Sequence, residues 1–340
     1  MNEVNLLPGT SISGNLFLAP MAGYTDFVFR SLCAEFGADL CYTEMVSCEG
    51  LARLNKKTAE LMKSGSAEKQ RGIQLFGVNP DSCFEAAKNA AALNPNIIDF
   101  NCGCPVPKVV KTGAGAALMR NLKLLKELVA ALKAGTEAAG KKIPISVKIR
   151  AGWNAEEINA PETAAAAVEA GAAIIGIHGR TRAQGYSGTA DLEIIRNVKK
   201  AVSVPVIGSG DLFSPLDIKR MLEETGVDAV MIARGAVGNP QIFTQTKEFL
   251  SNGEIRTVFG DAEKLQTARR HLHASVAAFG ERRACKEIRK HLCAYSKGIR
   301  NGTVLRNRIV HCSTLTEYEE AFSDFFQSEG IESLPIDFHL

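Results

Sequence analysis

The stretch Asp99-Phe100-Asn101-Cys102-Gly103-Cys104-Pro105 carries the most unusual chemistry in this chain. Glycine and proline make a rigid turn that presents small polar side chains at the end of an apolar run. A thiol with an unperturbed pKa of about 8.5 is mostly protonated at neutral pH. It can therefore give up a proton as well as act as a nucleophile. Burial as a small hydrophobe is the plainer fate of a cysteine. That fate is expected for Cys33, Cys41, Cys48, Cys83, Cys285, Cys293 and Cys312, and extends to Cys102. The Cys102-x-Cys104 spacing invites a metal reading, but zinc needs two more close ligands. The six histidines are dispersed, so no metal is expected, and nine scattered cysteines do not make a disulfide framework.

Other reactive types stand at the ends of apolar runs. In Val147-Lys148-Ile149-Arg150 a lysine interrupts an apolar strand, which is costly unless an anion pairs with it. Ile177-His178-Gly179-Arg180-Thr181-Arg182 follows, with Gln184 and Tyr186 soon after. A lone histidine would be a core residue about as often as a ligand, but Lys148 and His178 on neighbouring strand ends point at one ligand. Gly208-Ser209-Gly210-Asp211 and Ala233-Arg234-Gly235-Ala236 are glycine-bearing loops suited to a phosphate. The loops alone would suit a sugar phosphate; with Lys148 and His178 they suggest a larger phosphorylated ring. Pro20-Met21 offers backbone and apolar surface to a flat ring. Gln74 could hydrogen-bond a heterocycle edge, though by itself it reads as a satisfied interior amide.

These residues need a scaffold that gathers strand ends. Short apolar runs at 16–19, 40–43, 72–76, 97–101, 143–149, 173–178, 205–208 and 229–233 make eight candidate strands. Helical stretches at 26–36, 51–62, 81–93, 122–139, 161–170, 191–201, 215–224 and 239–250 alternate with them. Such alternation predicts an α/β fold with a parallel sheet, and eight units predict a (β/α)8 TIM barrel. In that barrel, chemistry belongs at the C-terminal ends of the strands. No G-x-G-x-x-G follows the first strand, which argues against an open dinucleotide-binding sheet. Length fits a barrel over 1–250, a linker over 251–258 and a small all-helical C-terminal domain over 259–340. Ala284, Ile288, Leu292, Tyr295 and Ile299 form an apolar stripe at helical spacing, with Arg282, Lys286, Arg289 and Lys290 on another face.

The net charge of +3 hides a segregation. Residues 256–311 carry thirteen Lys/Arg against four Asp/Glu, and 312–340 carry seven Asp/Glu and no Lys/Arg. The basic stretch is either a solvated helix face or a patch for phosphate backbones. The acidic tail is expected to pack beside it or stay mobile. No apolar run approaches the ~18 residues of a membrane span. The N-terminus does not resemble a signal peptide. A cytoplasmic monomer is expected.

The segments APMAGYTD-x3-R, TEM, DFNCGCP, VKIRAGW, HGRTRAQGYSG, GSGD and ARGAVGNP, in this order, resemble the bacterial tRNA-dihydrouridine synthases. The resemblance runs from about residue 15 to 245 and is highly specific; beyond, it is weaker, through Arg289-Lys290-His291 and Tyr295. It implies FMN-dependent reduction of the C5=C6 bond of uridine in the tRNA D-loop, with NADPH or NADH as electron source. Hydride would come from flavin N5 and the proton from Cys104. Pro20, Met21, Gln74, Lys148 and His178 would contact the flavin ring and ribityl chain; Gly210, Asp211, Arg234 and Gly235 would hold its phosphate. Asn101 would meet the uracil, with Arg180, Arg182 and Gln184 near the target nucleotide. Lys286, Arg289 and Lys290 would hold tRNA phosphates. Ser209 departs from the family, where asparagine is common. The alternative enzyme is an FMN barrel reductase of a small molecule such as a free pyrimidine. The non-catalytic alternative is an RNA-binding protein on an old barrel.

Overall fold

The computed structural model describes residues 5–7, 9, 10 and 12–332. Nine strands follow in order: β1 (Leu16–Leu18), β2 (Leu40–Tyr42), β3 (Val46–Ser47), β4 (Arg71–Phe76), β5 (Ile97–Cys102), β6 (Ile145–Arg150), β7 (Ile174–His178), β8 (Val206–Ser209) and β9 (Ala229–Ile232). All pair in parallel, and the pairings β1–β9, β1–β2 and β2–β4 close the ring. The result is a (β/α)8 TIM barrel. β2 and β3 share one place in it. β2 pairs Tyr42 with Gly72, and β3 pairs Val46 with Leu75. Four residues on one side thus span three on the other, and the surplus bulges Thr43-Glu44-Met45 toward the mouth.

Strand period two sorts the chemistry. Along β5, Ile98, Phe100 and Cys102 pack in the cluster between strands and helices, whereas Ile97 joins the cluster with Phe17, Leu40, Tyr42, Ile174 and Ile207. Asp99 and Asn101 share the side of Ile97 and so continue toward the mouth as a polar layer.

Helix starts are set by local caps. Asp26 accepts from the Phe29 amide, Asn79 from Ser82 ahead of Pro80, and Ser214 from Asp217 ahead of Pro215. The single helix expected over 51–62 is instead two short ones, Cys48–Ala52 and Lys56–Glu60. Leu54 between them has φ +55, a left-handed backbone no helix can pass through. Arg30 is fully buried, bonded to both oxygens of Glu68 at 2.8 and 3.1 Å, to the Thr25 carbonyl at 2.8 Å and to the Lys63 carbonyl.

The last barrel helix, Ile242–Asn252, is followed by helices at Asp261–Phe279, Glu281–Glu287, Arg289–Tyr295, Gly302–Ile309 and Leu315–Glu329. The stripe of Ala284, Ile288, Leu292, Tyr295 and Ile299 is buried; it spans two abutting helices, because the segment divides at Ile288, and ends with Ile299 in the turn beyond them. The helices meet the barrel at a ring cluster. Phe29 stacks on His271 at 5.5 Å and lies 4.7 Å from His291, and Tyr24 meets His291 edge-on at 5.2 Å. Burial drives His271 down to about 3 and His291 well below the usual histidine range, so both rings are neutral packing groups.

The acidic helix Leu315–Glu329 packs on the basic ones. Glu319 pairs with Arg269 and His273, and Asp324 with Arg308. Arg270 and Arg283 reach barrel acids, Glu35 and Glu60. Much of the local positive charge is thus met internally. Residues 333–340 of the tail lie outside the described residues. No helix among those described is long and apolar enough to cross a membrane.

Replacing Arg30 with Met strands the Glu68 carboxylate in an apolar site. The expected loss is about 3–5 kcal/mol, seen as a lower denaturant midpoint. The double variant Arg30→Met/Glu68→Leu should recover most of it.

Candidate active site

A cavity of about 600 Å³ opens at the C-terminal ends of the strands. It brings together Pro20, Met21, Gln74, Asn101, Cys104, Lys148, His178, Gly210, Asp211, Arg234 and Gly235 from seven strand ends, with Lys290 from the helical region.

Its polar floor is one hydrogen-bonded relay. Ser146 Oγ donates to Asp99 Oδ1 at 2.6 Å, and Gln74 Nε2 donates to Asp99 Oδ2 at 2.7 Å. Asn101 Nδ2 then donates to Gln74 Oε1 at 3.0 Å. Asn101 Oδ1 in turn accepts from the Cys104 amide at 2.9 Å and the Gly103 amide at 3.3 Å. A carboxylate accepts only, so each amide along the chain has one allowed orientation. Burial raises Asp99 to about 6, against the hydrogen bonds from Gln74 and Ser146 and the nearby Lys148 charge.

Arg150 ties the cysteine turn to its neighbour. Its Nε donates to the Gly103 carbonyl, and Nη1 to the Thr181 and Gly185 carbonyls, all at 2.9 Å. Behind the turn, a Cβ on Gly115 would lie 2.8 Å from the Cys104 carbonyl, and φ there is +61, so glycine is required. Cys104 is half-buried and Cys102 fully buried. Burial pushes the Cys104 thiol up despite the Val106 amide, Arg150 and Lys148, so it is protonated at neutral pH. Cys102 is pushed much further up, in line with its place among core side chains.

Lys148 makes no ion pair or hydrogen bond among the described residues. Burial, then the Arg150 charge, lowers it to about 8. His178 falls to about 2 through burial and four surrounding cations, and is neutral. Its Nδ1 accepts from the Arg180 amide at 3.4 Å, which leaves the proton on Nε2, on the Gly210 side.

The loops after β8 and β9 press together. A Cβ on Gly235 would lie 1.9 Å from the Leu212 carbonyl. Asp211, expected at a phosphate, is a bracket for cations: it takes Arg180 at 2.7 Å and Arg234 at 3.2 Å. Ser209 spends its hydroxyl on the Met231 carbonyl at 3.0 Å.

Several expected contacts lie elsewhere. Arg180 is 2% exposed and bonded to Asp211 and the Ser187 and Gly188 carbonyls, so it braces the loop and does not line the cavity. Gln184 accepts from the Thr181 amide at 2.7 Å and holds a turn. Arg182 lies over Trp153 at 4.5 Å. Arg289 turns inward to the Cys312 carbonyl at 2.7 Å, away from Lys286 and Lys290. Conversely, Arg150, Met45, Phe213 and Lys297 line the cavity without having been singled out for it. Arg150 shared a strand end with Lys148. Lys290, Cys293, Ala294 and Lys297 follow i, i+3, i+4, i+7 spacing, a face that sequence could have shown.

The chain matches the model of the dihydrouridine synthase (Dus) family over residues 17–329. A probable tRNA-dihydrouridine synthase of Treponema pallidum is 44% identical over 92% of this chain and 94% of that protein. The chain belongs to the dihydrouridine synthase family. Within the family, tRNA-dihydrouridine synthase B of Shewanella oneidensis is 37% identical over 84% of this chain and 87% of that one. Solved structures share the fold at low identity. Histamine dehydrogenase from Rhizobium sp. 4-9 gives a TM-score of 0.55 at 14% identity over 80% of this chain, which spans only 50% of that longer one. Morphinone reductase gives 0.52 at 11%, over 75% of this chain and 91% of that one.

Asn101→Ala frees the Cys104 and Gly103 amides, so alkylation of Cys104 by iodoacetamide should speed up several-fold. Asn101→Asp keeps the acceptor and should stay at or below the unaltered rate. Equal rates in all three proteins would remove the capping role.

Proposed function

We propose that this chain reduces the C5=C6 bond of a uridine in the tRNA D-loop, with FMN bound in the cavity and NADPH or NADH as electron donor. The observation that carries the reading is a protonated thiol at a strand end, sharing one cavity with a half-buried lysine that has no ion pair among the described residues and with two glycine-bearing loops.

The residues fit a flavin. Lys148 makes no ion pair or hydrogen bond among the described residues, neutral His178 offers an Nε2 donor, and Arg234 stands beside the tightly packed Gly210 and Gly235 loops. Pro20, Met21 and Gln74 would border the ring. When bound, flavin supplies the hydride. Lys148 would stabilise negative charge on the ring side of the cavity, a fixed charge needing no reorganisation. Asp211 would serve by aiming Arg234 at the phosphate end.

Cys104 would hold the proton and give it to the uracil carbon, as a general acid. Its raised pKa keeps it in the acid form, and Asn101 and Arg150 fix the turn that carries it. Asn101 stands at the uracil end. A base must leave the RNA stack to enter a barrel mouth. The helical region from 259 onward would hold the RNA, with Lys286 and Lys290 on its phosphates, and Lys290 and Lys297 as part of the cavity wall. Arg182 is a further RNA cation, whereas Arg180, Gln184 and Arg289 would act by holding backbone. A monomer working in the cytoplasm, where tRNA is found, suits this reading. Reduction of a free pyrimidine is the rival; it needs no lysine wall from the C-terminal helices.

Cys104→Ala should keep its flavin absorbance and still oxidise the nicotinamide donor, yet form no dihydrouridine in a tRNA transcript. Dihydrouridine formation at the normal rate in that variant would end the acid assignment. With the native thiol, the rate should fall on the alkaline side, first as Lys148 loses its proton at about 8 and then as Cys104 loses its own above the range of an exposed thiol, and on the acid side as Asp99 takes up a proton at about 6 and the relay behind Cys104 loosens. Turnover of free uridine but not tRNA would favour the small-molecule reductase.

A further inference from the structure

The loops after β5, β6 and β7 hold a cluster of which the reading above uses Arg182 alone, leaving Trp153 and Arg120 without a role. Trp153, the only tryptophan in the chain, is half-buried there, with Arg182 at 4.5 Å and Arg120 at 5.0 Å from its ring centre. We propose that these two guanidiniums bind phosphates of the RNA strand on the barrel side of the cavity mouth, resting on the tRNA reading above.

Three observations carry this. First, Arg182 makes no hydrogen bond or ion pair through its side chain among the described residues, and its Nε is buried without a partner. A ring face partly offsets the cost of a cation removed from water, but leaves its N–H donors unspent. Arg120 pairs with Glu157 at 2.9 Å, yet both side chains are about half exposed, 53% and 44%. Such a pair holds weakly and can exchange for a phosphate.

Second, the ring is fixed. Trp153 N donates to the Glu157 carbonyl at 2.9 Å, Arg182 N to the Gly152 carbonyl at 2.8 Å and Ala183 N to the Trp153 carbonyl at 2.9 Å. The two loops are stitched together, so the Arg182 guanidinium is presented at little further entropic cost.

Third, the cluster adjoins the reacting turn. Arg150 bonds both the Gly103 carbonyl and the loop of Thr181 and Gly185, on either side of Arg182. Lys108 and Lys111, exposed and without carboxylate partners among the described residues, follow Cys104 by four and seven positions. None of these four cations lines the cavity. Charges spread outside a pocket suit a polyphosphate chain passing its mouth better than a small dinucleotide inside it. With Lys290 and Lys297 on the helical wall, the entering strand would be held from both the barrel and the helices.

The test titrates the flavin-loaded full chain with an unmodified tRNA transcript and follows Trp153 emission and Kd at several salt concentrations. A change in emission is expected on binding. Arg120→Gln and Arg182→Gln should each raise Kd about 3- to 10-fold near 0.1 M salt and lower the slope of log K against log salt by about one. Arg120→Lys and Arg182→Lys should restore most of the slope, which a purely structural role would not do. Trp153→Leu keeps both charges but frees them, and should give a smaller loss. Unchanged Kd and slope in both glutamine variants overturns the proposal and leaves the stack a tie between loops. Loss of flavin alongside binding, unrescued by lysine, overturns it too. Failure of the unaltered protein to bind tRNA would overturn both this site and the tRNA reading, whereas binding with indifferent variants removes this site alone.

Discussion

The buried Asp99 carboxylate is the constraint on which the cavity depends. It can only accept, and Ser146 and Gln74 both donate to it. That fixes the Gln74 amide, which fixes Asn101, which caps the turn carrying Cys104. The relay runs through side chains facing inward from β4, β5 and β6, so barrel closure and thiol placement are one problem. A carboxylate buried without such donors would be protonated or would destabilise the fold.

Above this floor the site is set by which cations have partners. Arg180, Arg150 and Arg30 are spent on carbonyls and carboxylates and act as struts. Lys148, Lys290 and Lys297 make no ion pair among the described residues and line the cavity. Partnering separates them, and Arg150 belongs to both groups, since it lines the cavity while bonded to three carbonyls.

The helical region does more than extend the chain. Its neutral histidines pack against Phe29 and Tyr24 of the barrel, and Gly238 admits the backbone of Ala294 and Tyr295 so closely that a Cβ would lie 2.5 Å away. This close approach makes the face of Lys290, Cys293, Ala294 and Lys297 a wall of the cavity. The acidic helix Leu315–Glu329 meanwhile neutralises part of the basic stretch, leaving the wall cations unmatched.

The sequence by itself determined the barrel, because eight apolar runs alternating with helical stretches admit few other closures. It also gathered Cys104, Lys148, His178, Gly210 and Arg234 at strand ends, because period two and the barrel rule place them there. The bulge between β2 and β3, and the break at Leu54, lay below that resolution, since each turns on one residue's backbone. Only the tertiary structure decided which arginines are free. Arg180 and Arg182 stand two positions apart in one motif, yet one is locked to Asp211 and the other lies over Trp153. Arg270 finds Glu35 across 235 positions. A charge's role depends on the partner that reaches it, and such partners are set by folding rather than by neighbours in the chain.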